Sequence, residues 1–232
     1  MTSRITRRGL IVQAGAVLSV GMLCAAGRAG AQPTLPEVGQ TFDLSLNGFG
    51  ARLVVDLPPP LPTLNFIGSR QVQVVDAGAD QVGLRILNMT AEAVHPLFGK
   101  IVMRADQPET DLPSVVRRIA EDRLGGTWYQ SVRVTFEKCG ECPGPFIYHT
   151  RRPAEWTAEL TEFPPPEATT NPDGSPSEGA LYRLAQPIGL TVSDPTSISS
   201  PECETCPLTK PLPGREPFFA IIEELHWVQG RL

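Results

Sequence analysis

The chain has 232 residues, with 25 Asp and Glu against 20 Lys and Arg and a formal net charge of −5. That length suits one domain with a real core, or two small ones. The acidic balance argues against nucleic acid, whose binding draws on clustered Lys and Arg. The 24 prolines argue against helical or βαβ architecture, because proline fits neither a helix interior nor a central strand.

Residues 1–31 carry Arg4, Arg7, Arg8 and Arg28 and no acidic residue. Positions 10–26 are mildly apolar, and Ala29-Gly30-Ala31 offers a small-residue exit before Gln32. Charged start, apolar middle and small-residue exit make a secretory signal peptide. The apolar stretch is short for a membrane span of about 20 residues. Thr6-Arg7-Arg8-Gly9-Leu10-Ile11 resembles the signal of the bacterial twin-arginine export pathway. That resemblance covers the signal alone and implies a bacterial protein exported after folding, with any cofactor loaded in the cytoplasm. Cys24 falls inside the discarded signal. The remaining chain keeps 16 basic against 25 acidic residues, a net charge of −9. It has no run of 18 apolar residues, so no transmembrane span is expected in it.

In the mature part, period-two alternation predicts half-buried antiparallel strands at 42–46 and 52–57, with Asn47-Gly48-Phe49-Gly50 as a turn between them. A hairpin is expected from 71–75 to 81–89 across Asp76-Ala77-Gly78-Ala79-Asp80. Further strands are expected at 99–104, 127–136, 155–163, 181–184, 188–192 and 218–228. The prolines predict that these elements are short. One segment breaks the pattern. Leu112, Val115, Val116, Ile119 and Leu124 recur at helical spacing, with Asp111 as cap, Pro113 in the first turn and Gly125-Gly126 as the stop. A short amphipathic helix is expected there. Asn171 to Pro176 reads as a polar surface loop, and Trp128, Trp156 and Trp227 read as core. The expected fold class is mainly β, an antiparallel β-sandwich-like domain over 32–232 with long Pro-rich loops. A division into sub-sandwiches at about 32–110 and 125–232 is equally open.

Four cysteines form two matched pairs, Cys139-Gly140-Glu141-Cys142 and Cys203-Glu204-Thr205-Cys206. Two such turns meeting in space make either disulfides between the pairs or a four-thiolate zinc or iron site. Export out of the cytoplasm favours disulfides, which persist there. The residue after each second cysteine is Pro143 or Pro207, which has no N–H to support a metal-bound thiolate. Redox-active thiols are the third possibility, although no thioredoxin-like βαβ context accompanies them.

Other chemistry is thin. His95, His149 and His226 share no motif, although His149 lies close enough in sequence to approach the cysteines. Glu223-Glu224 should face opposite sides of a strand, which argues against a paired carboxylate site. Arg117-Arg118 and Arg151-Arg152 read as solvated faces. Three functional classes remain: a non-catalytic binding or structural module with a protein or cell-surface partner, a metal-carrying (zinc or iron) or electron-transfer protein, and a hydrolase with a loop-built site. The expected location is periplasmic or extracellular.

Overall fold

The computed structural model describes residues 33–106, 112–193, 203 and 205–232; the expected signal with Cys24 lies outside them. The first strands are β1 (Thr41–Val54), β2 (Thr63–Ala77), β3 (Gln81–His95), β4 (Gly99–Ala105) and β5 (Ser114–Ala120). Then come β6 (Arg123–Gln130), β7 (Val132–Cys139), β8 (Cys142–Thr150), β9 (Ala154–Leu160) and β10 (Ala168–Thr170). The last are β11 (Pro176–Glu178), β12 (Ala180–Leu184), β13 (Ile188–Thr191), β14 (Ala220–Glu223) and β15 (Trp227–Arg231).

Thirteen strands join in one antiparallel sheet, in the order β14-β13-β8-β7-β4-β3-β2-β1-β15-β12-β9-β6-β5. The sheet closes on itself twice. β14 also pairs with β1, from Arg52↔Glu223 to Val54↔Ile221. β5 also pairs with β3, from Gln81↔Arg117 to Leu84↔Ser114. The first closure makes a ring of β14, β13, β8, β7, β4, β3, β2 and β1. The second makes a ring of β3, β2, β1, β15, β12, β9, β6 and β5. Strands β1 to β3 form the wall common to both. Closure leaves neither end strand of the sheet with an unpaired row of N–H and C=O groups.

The common wall is long because its strands serve both rings in turn. β1 pairs with β15 near Leu44 and Asn47, then with β14 near Arg52 and Val54. The expected turn at 47–50 is a bulge, with the register against β2 shifting between Gly48 and Ala51. Gly50 there adopts φ +77°, a left-handed conformation natural to glycine. The two expected strands are therefore one. β2 and β3 each run 15 residues and contain no proline, so the short-element expectation fails on the wall. Prolines crowd the connections and the entry to β8.

The expected helix is a hairpin, β5 to β6. Val116 pairs with Val82 on one side and Gly126 on the other. Val115, Val116 and Ile119 are β-branched and suit a pleated surface better than a helical one. Gly125 and Gly126 lie inside β6 rather than ending a helix. Among the described residues no α-helix occurs.

Two expected strands are broken where the chain changes rings. The 127–136 run divides at Ser131 into β6 and β7. The 218–228 run divides between β14 and β15, where Glu224 takes φ +61°. Residues 31–232 form one compact unit, with a single apolar core extending through both rings. Strands on either side of the 110–125 division are neighbours in the sheet, β4 beside β7 and β1 beside β15. Trp128, Trp156 and Trp227 are all fully buried in the core. The 171–176 loop joins β10 to β11, and Asn47 donates to its Gly174 carbonyl at 3.2 Å.

Candidate functional site

The cysteines come together as the spacing suggested. β7 ends at Cys139, β8 begins at Cys142, and Gly140 at φ +61° turns the chain between them. Disulfides join Cys139 to Cys206 and Cys142 to Cys203, with Cα separations of 5.9 and 5.7 Å. Both separations fall in the usual range for a bridge. The strapped segment is also held by hydrogen bonds. Tyr148 donates its hydroxyl to the Leu208 carbonyl at 2.5 Å, and Thr209 donates to the Cys206 carbonyl at 2.9 Å. Leu208 N–H, one residue beyond Pro207, points at the Cys206 sulfur at 3.4 Å. With all four sulfurs paired, a Cys139, Cys142, Cys203, Cys206 metal centre would require both bridges reduced. Among the described residues no group of three or more His, Cys, Asp or Glu is placed to hold a metal.

The histidines do not converge. His149 lies toward the far end of β8 from Cys142, where its Nδ1 meets Asp106 Oδ2 at 2.6 Å. His95 accepts from Leu97 N–H at 3.2 Å and packs on Phe98, and burial lowers its pKa. His226 accepts from Leu184 N–H at 3.0 Å. Glu223 and Glu224 do not face apart. The turn at Glu224 lets Arg52 donate to both, at 3.0 and 3.2 Å, as an exposed ion cluster. Arg118 is not solvated either: it donates to the Pro33 carbonyl at 3.1 Å and so ties down the start of the described chain.

The least ordinary side chain is one that sequence inspection passed over. Arg70 is only 1% exposed, at the middle of β2. The inward face of β2 carries Leu64, Phe66, Arg70, Val72 and Val74, so a cation occupies an apolar position. Extending the alternation back from Val74 would have exposed it. The guanidinium carbon lies 4.9 Å from the Trp128 ring centre and 5.9 Å from that of Trp156. These rings come from β6 and β9 and are held in register as Trp128↔Trp156. Trp156 is fixed by its N–H, which donates to the Leu225 carbonyl at 2.8 Å. Tyr182 of β12 packs against Trp128 with ring centres 6.0 Å apart. Gly126 makes this possible, since a Cβ there would come within 3.0 Å of the Tyr182 ring and hydroxyl.

Among the described residues no acid balances this cation. Burial lowers the Arg70 pKa to about 10, only partly opposed by Tyr182, so it remains charged at neutral pH. Its Nη2 makes one weak contact, to the Met89 sulfur at 3.8 Å, while Nε and Nη1 have no partner. Desolvating an unpaired charge costs several kcal/mol, and cation–π contact with two rings recovers only part, about 2 kcal/mol per desolvated contact. Burial also raises the Tyr182 pKa well above the phenol range. The Trp128 N–H lies near enough to the Tyr182 oxygen to oppose that shift, but no well-formed hydrogen bond joins them. The centre is thus a charged, donor-rich spot in an aromatic box.

No helix among the described residues is long and apolar enough to cross a membrane. The two disulfides are consistent with an oxidising, non-cytoplasmic setting. No protein-family model, curated protein or solved structure matches the chain.

Proposed function

We propose that the chain is an exported, disulfide-stapled β scaffold that acts by binding a protein or cell-surface partner, not by turning over a substrate. The observation supporting this reading is the outer side of the common wall. Phe49 on β1, Ile67 on β2 and Val94 on β3 are all exposed there, Val94 by 80%. Register places them together: Asn47 pairs with Ile67, Ile67 pairs with Glu92, and Val94 follows two residues on. The inward face of the same wall is filled by core side chains, and pairing on both sides of the wall strands leaves them little free edge for docking. The outer face offers a partner exposed apolar residues brought close by the register, and such groups mark contact surfaces.

The test is site-specific photo-crosslinking in exporting cells. A crosslinker at position 94 or 67 should give a discrete adduct, whereas one at Ile147, exposed on the first ring, should not. Equal labelling from all three positions, or none, would sink the reading. One observation favours a hydrolase instead. His149 is oriented by a carboxylate at 2.6 Å, as a general base requires. Turnover that disappears in His149→Ala would bring that class forward. The metal-carrying or electron-transfer class is tested by intact mass and metal analysis of the exported protein. Two disulfides make it four hydrogens light and metal-free; four thiols with bound zinc or iron would revive that class.

A further inference from the structure

We propose that the second ring encloses a small monovalent anion, of the halide class, held on the edge of the Arg70 guanidinium. The argument rests on what surrounds that group. Arg70 is fully enclosed, and among the described residues no Asp or Glu contributes to the charge environment set by burial and Tyr182. Two of its three nitrogens, Nε and Nη1, have no protein acceptor. The Trp128 N–H and Tyr182 hydroxyl beside it approach each other but form no well-made hydrogen bond. Arg70 Nε and Nη1 and the Trp128 N–H can only donate, and of these unpartnered groups the Tyr182 hydroxyl alone can also accept. A water accepts two hydrogen bonds and leaves the charge unneutralised. An anion accepts from several donors and pairs with the charge, which offsets the desolvation of both ions where the contacts are close.

The same surroundings limit the size of the anion. Trp128 and Trp156 lie over the guanidinium at 4.9 and 5.9 Å, so its edge is left for the ligand. With the guanidinium fully buried and two indole rings over it, the occupant is one atom or very few, not a metabolite. A bound anion would also give the second ring an interior cross-link joining β2, β6 and β12.

The experiment uses the full mature protein with both disulfides intact. It is dialysed exhaustively into gluconate buffer, and chloride or bromide is then titrated at constant ionic strength while Tm is followed. Halide retained through dialysis is measured by ion chromatography after denaturation. The expected result is either one halide released per chain or a Tm that rises with halide by mass action. Trp128→Phe keeps the ring but loses one donor and should raise the halide midpoint about fivefold, the worth of one net hydrogen bond. Arg70→Met should abolish both signals. Should Arg70→Met fail to fold, crystals of the unaltered protein grown in bromide decide the matter. An anomalous peak within hydrogen-bond reach of Arg70 supports the site. A water or nothing at that position overturns it, as does a Tm indifferent to halide with no halide released.

Discussion

The two rings share a wall but are held together by opposite means. The first is closed around Phe98, Phe136 and Tyr148, whose rings meet edge to face. The buried Tyr148 hydroxyl inside it has an acceptor, and two disulfides brace its rim. The second ring has no covalent brace among the described residues and is filled by Trp128, Trp156, Trp227, Tyr182 and Arg70. Every buried side-chain polar atom lacking a partner among the described residues is on a strand of the second ring: Asn47, Arg70, Arg118, Trp128, Gln130, Tyr182, Trp227 and Gln229. None lies on β4, β7, β8, β13 or β14. Covalent bracing is thus found in one ring and unmet hydrogen-bonding capacity in the other. These orphans include acceptors, at Asn47, Gln130 and Gln229, as well as donors, and buried polar atoms without partners are costly, which is why the second ring is where a bound group is expected.

The largest test of this contrast is reduction. A bridge closing a loop of about 60 residues is worth roughly 4 kcal/mol on the chain-entropy estimate. The second bridge adds less, because the first has already closed that loop. Thermal unfolding with and without reductant should show the loss. Hydrogen exchange should then rise in β7, β8 and residues 205–212 before it rises in β9 and β12. Equal loosening of both would show one cooperative unit and erase the contrast.

Overpacking the other ring comes next. Gly126→Val places a side chain against Tyr182, and such crowding costs about 1–3 kcal/mol. Denaturant midpoints measure it, and a variant as stable as the parent would mean the aromatic box can yield.

A matched pair sharpens the comparison further. Tyr148→Phe strands the Leu208 carbonyl and should cost about 1–3 kcal/mol. Tyr182→Phe removes a hydroxyl without a partner and should be neutral or slightly stabilising in halide-free buffer. Equal losses from the two changes would refute the difference in polar satisfaction.

The smallest effect is electrostatic. Burial depresses the His95 pKa. The unfolded chain therefore binds a proton that the folded chain resists, so His95 supports stability above its unfolded pKa of about 6.5. That support is lost as pH falls through the folded value. His95→Gln should flatten the stability profile over that acidic window and leave neutral pH little changed.

Much of the architecture was readable because alternation is local. The β2 to β3 hairpin follows from Val72, Val74, Val82 and Leu84 pointing the same way. The helix over 112–124 was misread because Val115, Val116 and Ile119 satisfy helical spacing as well, and only pairing with β3 and β6 decides between the two. The ring changes at Ser131 and Glu224 were invisible, since alternation resumes on the far side of each. Arg70 was missed because a charged residue in an alternating run is ordinarily taken to face water.

By itself the sequence determined the strand-forming class, the exclusion of prolines from the wall strands, and the cysteine spacing that allows bridges. These are properties of neighbouring residues and of backbone chemistry. Only the tertiary structure decided which cysteines pair, how the sheet closes twice, and that Arg70 is enclosed by tryptophans from β6 and β9. Those depend on contacts between strands far apart in the chain, where packing and burial override local preference.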